Sequence, residues 1–325
     1  MVRIAVLDDY QNVALQITDW SSLPSDVEIQ VFQDHLDHLK NEGAVAERLK
    51  YFEIVMAMRE RTPFQRSLLE QLPKLRLLTT TGMRNAAIDL DAAAECGVLV
   101  CGTSGVMYPT AELTWGLILA LLRHIPREDQ AVRTGQWQVS MGLGLNGKTL
   151  GLMGLGRLGS QVAAVGKAFQ MELIAWSQNL TAERAAECGA TLVSKDELLS
   201  QSDILSIHLV LSGRSRGLIG APELGLMKPS AYLINTSRGP IVDEQALNQA
   251  LQNKTIAGAG LDVFDEEPLT LDHPLRKLEN TVITPHIGYV TTETYKIFFD
   301  HTVENIQAFL KGEPVRTMNT PQAKK

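Results

Sequence analysis

Short apolar runs bounded by polar or turn-forming residues recur through the first hundred positions. RIAVL (3–7), VEIQVF (27–32), EIVMAM (53–58), LRLLTTT (75–81) and VLVC (98–101) predict strands. Candidate helices lie between them, the clearest being DLDAAAEC (89–96). Strands alternating with helices predict a parallel sheet covered on both faces. AELTWGLILALLRHI (111–125) then reads as a helix that is apolar all round. Such a helix is expected to be buried between domains or subunits. Its most apolar stretch, LTWGLILALL (113–122), falls short of the ~18 residues a bilayer span needs.

A second alternating set begins at KTLGLMGLG. Its predicted strands are TLGLMG, ELIAWS, ILSIHLV, AYLINTS, IAGAGLDVF and TVITP. TTETYKIFFDHTVENIQAFLKG (291–312) reads as a long amphipathic helix, and the tail MNTPQAKK as loose. No low-complexity linker or short-period repeat interrupts the pattern. It predicts an α/β protein with two doubly wound parallel-sheet units.

Composition narrows the class without changing this picture. A chain of 325 residues can build two domains. The net charge of -7 argues against a nucleic-acid surface, which needs a basic face. Cys96, Cys101 and Cys188 are odd in number and lack C-x-x-C spacing. Neither a disulfide framework nor a zinc knuckle is expected, and a reducing cytosol fits. MVRIAVLDDY carries no long apolar stretch, so no secretory signal is expected.

The first chemical signal is LGLMGLGRLGSQ (150–161), where Gly154, Gly156 and Gly159 stand in G-x-G-x-x-G spacing. An apolar strand precedes it and SQVAAVGKAFQ follows as a helix. That context lets glycines bring backbone close to a pyrophosphate at a helix N-terminus. Arg157 and Leu158 belong to the same loop. An acid about 20 residues on is expected to read the adenosine ribose. ELIAWSQNL instead ends in Ser177, Gln178 and Asn179. Ser177 cannot repel a 2′-phosphate, so NAD and NADP are both expected as cofactors, with a modest lean to NADP.

Three polar clusters end later strands: LINTSRGPIVDEQAL with Arg238, GLDVFDEEPL with Asp262 and Glu267, and ITPHIGYVT with His286. Ligands of open α/β sheets bind beyond the carboxyl ends of the strands. An Arg that forks onto a carboxylate, a His that moves a proton, and an acid that orients the His suit the reduction of a 2-oxo acid. His208 lies on a predicted strand, near the cofactor or structural. No metal is called for.

At these residues the chain resembles the D-isomer-specific 2-hydroxyacid dehydrogenases. GLGRLG, NTSRG, LDVFDEEP and PHIG occur in that family's order and separations, so the resemblance covers nearly the whole chain. It implies Arg238 as binder of the substrate carboxylate, Glu267 as partner of the histidine, and His286 as acid and base. It also implies contacts to the nicotinamide end from Asp262, and to the cofactor from Thr110, Thr236 and Gly288. TTTGMRNAAIDL resembles the family's substrate loop, which places Met83, Arg84 and Asn85 near the substrate. For Arg84, a solvated surface charge is an equal alternative. HLVLSGRSRGLI departs from the family's H-x-P pattern, with Val210 in place of proline.

The implied architecture is a Rossmann-type cofactor domain (103–288) inserted in a flavodoxin-like substrate domain (1–102 and 289–325). The implied activity is hydride transfer between NAD(P)H and C2 of a small 2-oxo acid, giving a D-2-hydroxy acid. A cytoplasmic homodimer is expected, with LTWGLILALL as the candidate interface and interdomain packing as its alternative. A corepressor-type dinucleotide sensor and a formate dehydrogenase remain the rival readings.

Overall fold

The computed structural model describes residues 1–36 and 38–322, with backbone only for residues 38–40. The chain divides into two compact units, Met1–Val106 with Val290–Lys325, and Met107–Tyr289. The first break falls after residue 106 instead of 102, because residues 103 and 104 are tied into the first unit. Gly82 N donates to Thr103 Oγ1 at 2.8 Å and Ser104 N to His301 Nδ1 at 3.1 Å.

The first unit is built on β1 (Val2–Val6), β2 (Val27–Val31), β3 (Ile54–Ala57), β4 (Leu77–Thr80) and β5 (Leu99–Cys101). All pairs are parallel, in the order β2-β1-β3-β4-β5. This is the flavodoxin-like order. Every residue of β3 and β4 is buried, which is why these strands are continuous apolar runs. At the edge, β2 exposes Glu28 and Gln30 and turns Val27, Ile29 and Val31 inward.

The helix Thr292–Leu310 returns to this unit. Thr291 caps it by accepting from Thr294 N, and Tyr295, Phe298, Phe299, Val303 and Ile306 are buried. Asn305 Nδ2 donates to Gly102 O at 2.8 Å. The tail corrects the expectation of a loose end as far as residue 322. Met318 N donates to Val100 O at 2.8 Å and Gln322 N to Ala94 O at 2.8 Å. Asn319 Oδ1 accepts from Val100 N, while its Nδ2 donates to Val98 O and Leu90 O. The tail satisfies the open side of β5, an edge that would otherwise leave backbone groups unpaired. Its last three residues lie outside the described ones.

The second unit holds β6 (Thr149–Met153), β7 (Glu172–Trp176), β8 (Thr191–Leu192), β9 (Ile204–Ile207), β10 (Tyr232–Asn235), β11 (Gly258–Leu261) and β12 (Thr281–Ile283). All are parallel, in the order β12-β11-β10-β9-β6-β7-β8. The chain winds outward from β6 to β8, then restarts at β9 on the other side of β6. That reversal is the switch point at which a doubly wound sheet opens a crevice. β8 escapes the sequence pattern because it is only two residues long.

The apolar helix Tyr108–Leu122 is buried within this unit. Trp115, Leu117, Ile118, Leu121 and Leu122 share a core with Leu150, Leu152, Val162 and Ile234. Trp115 Nε1 donates to Val162 O at 3.2 Å. Its apolar surface is therefore largely spent inside its own unit, which corrects its reading as the candidate subunit interface. The hydrophobic demand of the helix is met by the sheet and the neighbouring helix Arg157–Ala168.

Candidate active site

The glycine loop leaves β6 at the switch point. Gly154 has φ +101°, and a Cβ there would lie 2.6 Å from His208 O. A Cβ on Gly159 would run into the carbonyl of Gly154. These two glycines serve the tight turn and the close packing of helix on loop. Gly156 differs: a Cβ there would meet nothing within 4 Å, and the residue caps the helix Arg157–Ala168 without any side-chain cap. The space beside Gly156 and the uncapped amides at Arg157 and Leu158 fit a pyrophosphate. Ser177 follows the end of β7 and is half-buried, with Gln178 and Asn179 exposed beside it. Arg184 is held by its own helix, with Nη1 2.9 Å from Glu187 Oε2.

His208 follows β9 beneath this loop. Its Nε2 lies 2.9 Å from Ser206 Oγ, and its Nδ1 is sealed from solvent with no hydrogen-bond partner. Burial pushes the imidazole down to about 4. The ring keeps a partly accessible edge, but in the charged form both nitrogens carry protons, and the N–H at the sealed Nδ1 would have no acceptor. The backbone carbonyl of His208 lies directly beside Gly154, so the residue stands against the glycine loop.

A depressed folded-state pKa has a defined sign. The unfolded chain takes up the proton first, so the stability from neutral His208 is complete above about 6.5 and is lost as pH falls toward about 4. The loss is at most on the order of 3 kcal/mol. His208→Gln is expected to flatten the fall in the urea midpoint between pH 7 and 4.5. Equal acid slopes in both proteins would remove His208 from this role.

The remaining candidates come from β10, β11 and β12, adjacent in the sheet. Beyond β10, Asn235 Nδ2 donates to Arg238 O at 3.0 Å and Asn235 Oδ1 accepts from Ser237 N at 3.0 Å. Asn235 thereby shapes the turn that presents Arg238. Arg238 is half-buried and donates Nη1 to Ser237 O at 2.7 Å. A Cβ on the next residue, Gly239, would overlap the carbonyl of Phe264. The glycine of NTSRG lets the Arg238 turn lie directly against the loop that bears Glu267.

Beyond β12 stands His286, with φ +54°. Its Nδ1 is 2.6 Å from Glu267 Oε2, and Glu267 Oε1 accepts from Phe264 N at 3.0 Å. With Nδ1 engaged by the carboxylate, Nε2 is the nitrogen that can meet a substrate oxygen. A left-handed conformation costs a non-glycine residue roughly 1–2 kcal/mol and needs support. Asp262 supplies it. Its Oδ1 accepts from Thr284 Oγ1 at 2.6 Å and Ile287 N at 2.8 Å, and its Oδ2 from Gly288 N at 2.8 Å. Burial pushes the Asp262 carboxyl above the ordinary range, against these hydrogen bonds and the pull of His286. The sequence reading placed Asp262 at the nicotinamide; the structure makes it first the clamp of the histidine loop.

A threonine chain closes the site from the other side. Thr110 Oγ1 donates to Gly288 O at 3.0 Å, Thr114 Oγ1 donates to Thr110 O at 2.8 Å, and Thr114 Oγ1 lies 2.8 Å from Thr236 Oγ1. Thr110, Thr236 and Gly288 are thus brought together. Thr114 was missed by the sequence reading, although its i+4 spacing from Thr110 puts both on one helix face.

In the first unit, Met83 and Arg84 are exposed on the turn after β4. Asn85 is a correction. It is buried, and its Nδ2 donates to Arg59 O at 2.6 Å and Thr80 Oγ1 at 2.8 Å while its Oδ1 accepts from Ala87 N at 2.9 Å. Its side-chain amide is turned inward and shapes the loop. Arg59, passed over in the sequence, lies at the same edge and donates Nη1 to Thr81 O at 3.0 Å.

Among the described residues, no helix is long and apolar enough to cross a membrane. None of their His, Cys, Asp and Glu side chains form a group of three or more that could hold a metal ion.

Residues 115–288 match the family model for the NAD-binding domain of D-isomer-specific 2-hydroxyacid dehydrogenases. The chain is 44% identical over 256 residues to a glyoxylate reductase of Aeropyrum pernix, covering 76% of each protein. It is 37% identical over 278 residues to a D-3-phosphoglycerate dehydrogenase of Methanocaldococcus jannaschii, covering 83% of this chain and 53% of that one. Among solved structures it is similar to a phosphoglycerate oxidoreductase of Vibrio cholerae, with a TM-score of 0.90 and 36% identity over 96% of this chain and 100% of that one. A D-lactate dehydrogenase of Aquifex aeolicus, solved with NAD and lactic acid, aligns with a TM-score of 0.77 and 28% identity over 95% and 96% of the two chains. With the glycine loop at the switch point and Arg, Glu and His at the ends of adjoining strands, the chain belongs to the D-isomer-specific 2-hydroxyacid dehydrogenase family, oxidoreductases that use a nicotinamide dinucleotide to interconvert 2-oxo and D-2-hydroxy acids.

Proposed function

We propose that His286, Glu267 and Arg238 are the catalytic residues, and that the substrate is a small 2-oxo acid of the glyoxylate type. The observation that carries this reading is the 2.6 Å bond between His286 Nδ1 and Glu267 Oε2. It orients the ring, occupies Nδ1, and leaves Nε2–H to donate to the carbonyl oxygen at C2. Arg238 holds the substrate carboxylate and polarises the carbonyl. The bound dinucleotide supplies or accepts the hydride. Gly154, Gly156, Arg157, Leu158 and Gly159 hold its pyrophosphate, and Thr110, Thr236, Asp262 and Gly288 border its nicotinamide end. In the first unit, the Met83–Arg84 turn forms the substrate loop. Glyoxylate is placed first because the glyoxylate reductase of Aeropyrum pernix is 44% identical to this chain, against 37% for the D-3-phosphoglycerate dehydrogenase of Methanocaldococcus jannaschii.

The direct test is loss of NAD(P)H absorbance with a panel of 2-oxo acids, glyoxylate first, with formate and NAD(P)+ as the contrasting reaction. Reduction to the D-hydroxy acid is the expected result. No turnover with any 2-oxo acid would overturn the reading.

Dual cofactor use with a lean to NADP rests on Ser177, which offers a hydroxyl and no charge where an acid would repel a 2′-phosphate. Comparable kcat/KM for NADPH and NADH, somewhat higher for NADPH, is expected. A preference for NADH above about a hundredfold, or roughly 2.7 kcal/mol, would overturn the lean. Ser177→Asp is expected to move the ratio toward NADH, by adding repulsion against the phosphate and an acceptor for the ribose.

A cytoplasmic homodimer completes the proposal. Its support lies in the segment after the apolar helix, where Ile125, Val132, Trp137 and Met141 are exposed, the last two by 77% and 91%. The base of this segment is held by Glu128, which accepts from Val139 N and Ser140 Oγ. Large apolar side chains left exposed along one segment suit a protein–protein contact. Light scattering is expected to give twice the chain mass.

A further inference from the structure

Glu244 opens the helix Glu244–Gln252, six residues after Arg238, and the chemistry above does not use it. Its side chain is mostly buried, at 21% exposure. Its two oxygens face two different points of one loop. Oε2 accepts from Asp265 N at 3.1 Å, and Oε1 lies 2.9 Å from His273 Nε2. His273 Nδ1 accepts from Leu275 N at 3.3 Å, at the start of the short helix Pro274–Lys277. A neutral ring with its Nδ1 so occupied carries its proton on Nε2, and therefore donates to Glu244.

We propose that Glu244 is a positioning residue for the reaction: its carboxylate pins both ends of the 265–273 loop and so holds Glu267 against His286. The inference rests on the catalytic roles proposed above.

The geometry gives the pin its leverage. Glu267 stands two residues beyond the pinned amide of Asp265, and its own Oε1 is bonded to Phe264 N, one residue before it. Gly239 lies directly against the same Phe264–Asp265 peptide. The segment 238–244 thus carries Arg238 at one end and the anchor of the Glu267 loop at the other. A shift of that segment moves both arms of the site together.

The charges around the pin are mixed. Asp243 and Asp265 are negative neighbours, His273 is the donor, and Arg216 attracts Asp265. Burial, then the field of Glu244, pushes the Asp265 carboxyl up. Glu244 repels that side chain while binding its backbone N–H, so the contact orients the peptide and leaves the Asp265 side chain outward. Around His286 itself stand Glu267, Asp262 and the ring of Tyr289, whose centroid is 5.7 Å away.

The test compares Glu244→Ala and Glu244→Gln in the full chain, with glyoxylate and NADPH as probes. Misplacing a catalytic group by about 1 Å costs up to roughly a hundredfold. Glu244→Ala is expected to lower kcat by about ten- to a hundredfold while the KM for glyoxylate and the Kd for NADPH hold. Glu244→Gln keeps an oxygen for Asp265 N–H and is expected to recover most of the loss. The proton NMR resonance of His286 Nδ1–H, assigned by its absence in His286→Ala, is expected to move upfield in Glu244→Ala as the bond to Glu267 loosens. If Glu244→Ala does not fold, His273→Ala releases one of the two ties and must show the same changes on a smaller scale. An unmoved resonance, or kcat and KM damaged together, overturns the proposal. The resonance needs no turnover. Its failure is therefore distinct from failure of the functional reading, which would show as no reduction of any 2-oxo acid.

Discussion

Replacing His286 with alanine is expected to lower kcat for 2-oxo acid reduction by about 10²- to 10⁴-fold, the usual worth of a positioned general acid. The dinucleotide Kd is expected to hold. The phosphate cradle at Gly154–Gly159 belongs to the β6 end of the sheet, whereas His286 belongs to the β12 end, and Asp262 clamps the histidine loop through Thr284, Ile287 and Gly288 without using the imidazole. Loss of the ring therefore removes a proton donor and leaves the loop's hydrogen bonds in place. Stopped-flow measurement of the hydride step, with fluorescence titration of NADPH, separates the two effects. A variant that retains most of its turnover removes His286 from catalysis, and with it the meaning of the 2.6 Å contact to Glu267.

Replacing Arg238 with lysine is expected to raise the KM for the 2-oxo acid by roughly 10- to 100-fold, the equivalent of losing one charged hydrogen bond worth about 1.5–3 kcal/mol. Charge is conserved, so the loss reports geometry. A guanidinium offers five N–H groups in a plane and can keep its bond to Ser237 O while forking onto a carboxylate. An ammonium on a flexible stem cannot satisfy both. The fall in kcat is expected to be real but smaller, since carbonyl polarisation weakens along with binding. Steady-state kinetics with glyoxylate at saturating NADPH make the check. Near-normal KM in Arg238→Lys would reject the carboxylate assignment and leave Arg238 as a residue that shapes its own turn.

Much of this protein was legible from hydrophobic pattern alone. The eleven strands expected from apolar runs all form, within two residues of the expected ends apart from three-residue overruns at IAGAGLDVF and ILSIHLV. The reason is that parallel strands buried on both faces must be continuously apolar, so each is a dense local signal. The glycine loop was legible for a similar reason, since Gly154 and Gly159 are demanded by local turn geometry and a contact within the same strand–loop–helix unit. Arg238, Glu267 and His286 stood out because polar residues interrupting strand ends are conspicuous and their motifs come in order.

Tertiary structure alone decided the rest. Sequence could not show that Asp262 spends its oxygens on the backbone of residues 287 and 288, that Thr114 joins Thr110 to Thr236, or that Asn85 turns inward. Each of these depends on where a side chain points once distant strands have been set side by side. The same holds for the tail, whose polar residues read as loose until β5 is seen to offer an open edge at Val98 and Val100. The apolar helix Tyr108–Leu122 shows the converse case: its composition determined that it would be buried, and only the packed sheet determined against what. Burial follows from the transfer free energy of the side chains a segment carries. Partnership follows from the directional hydrogen bonds and shapes of residues more than two hundred positions away, and these are brought together only when the whole chain has folded.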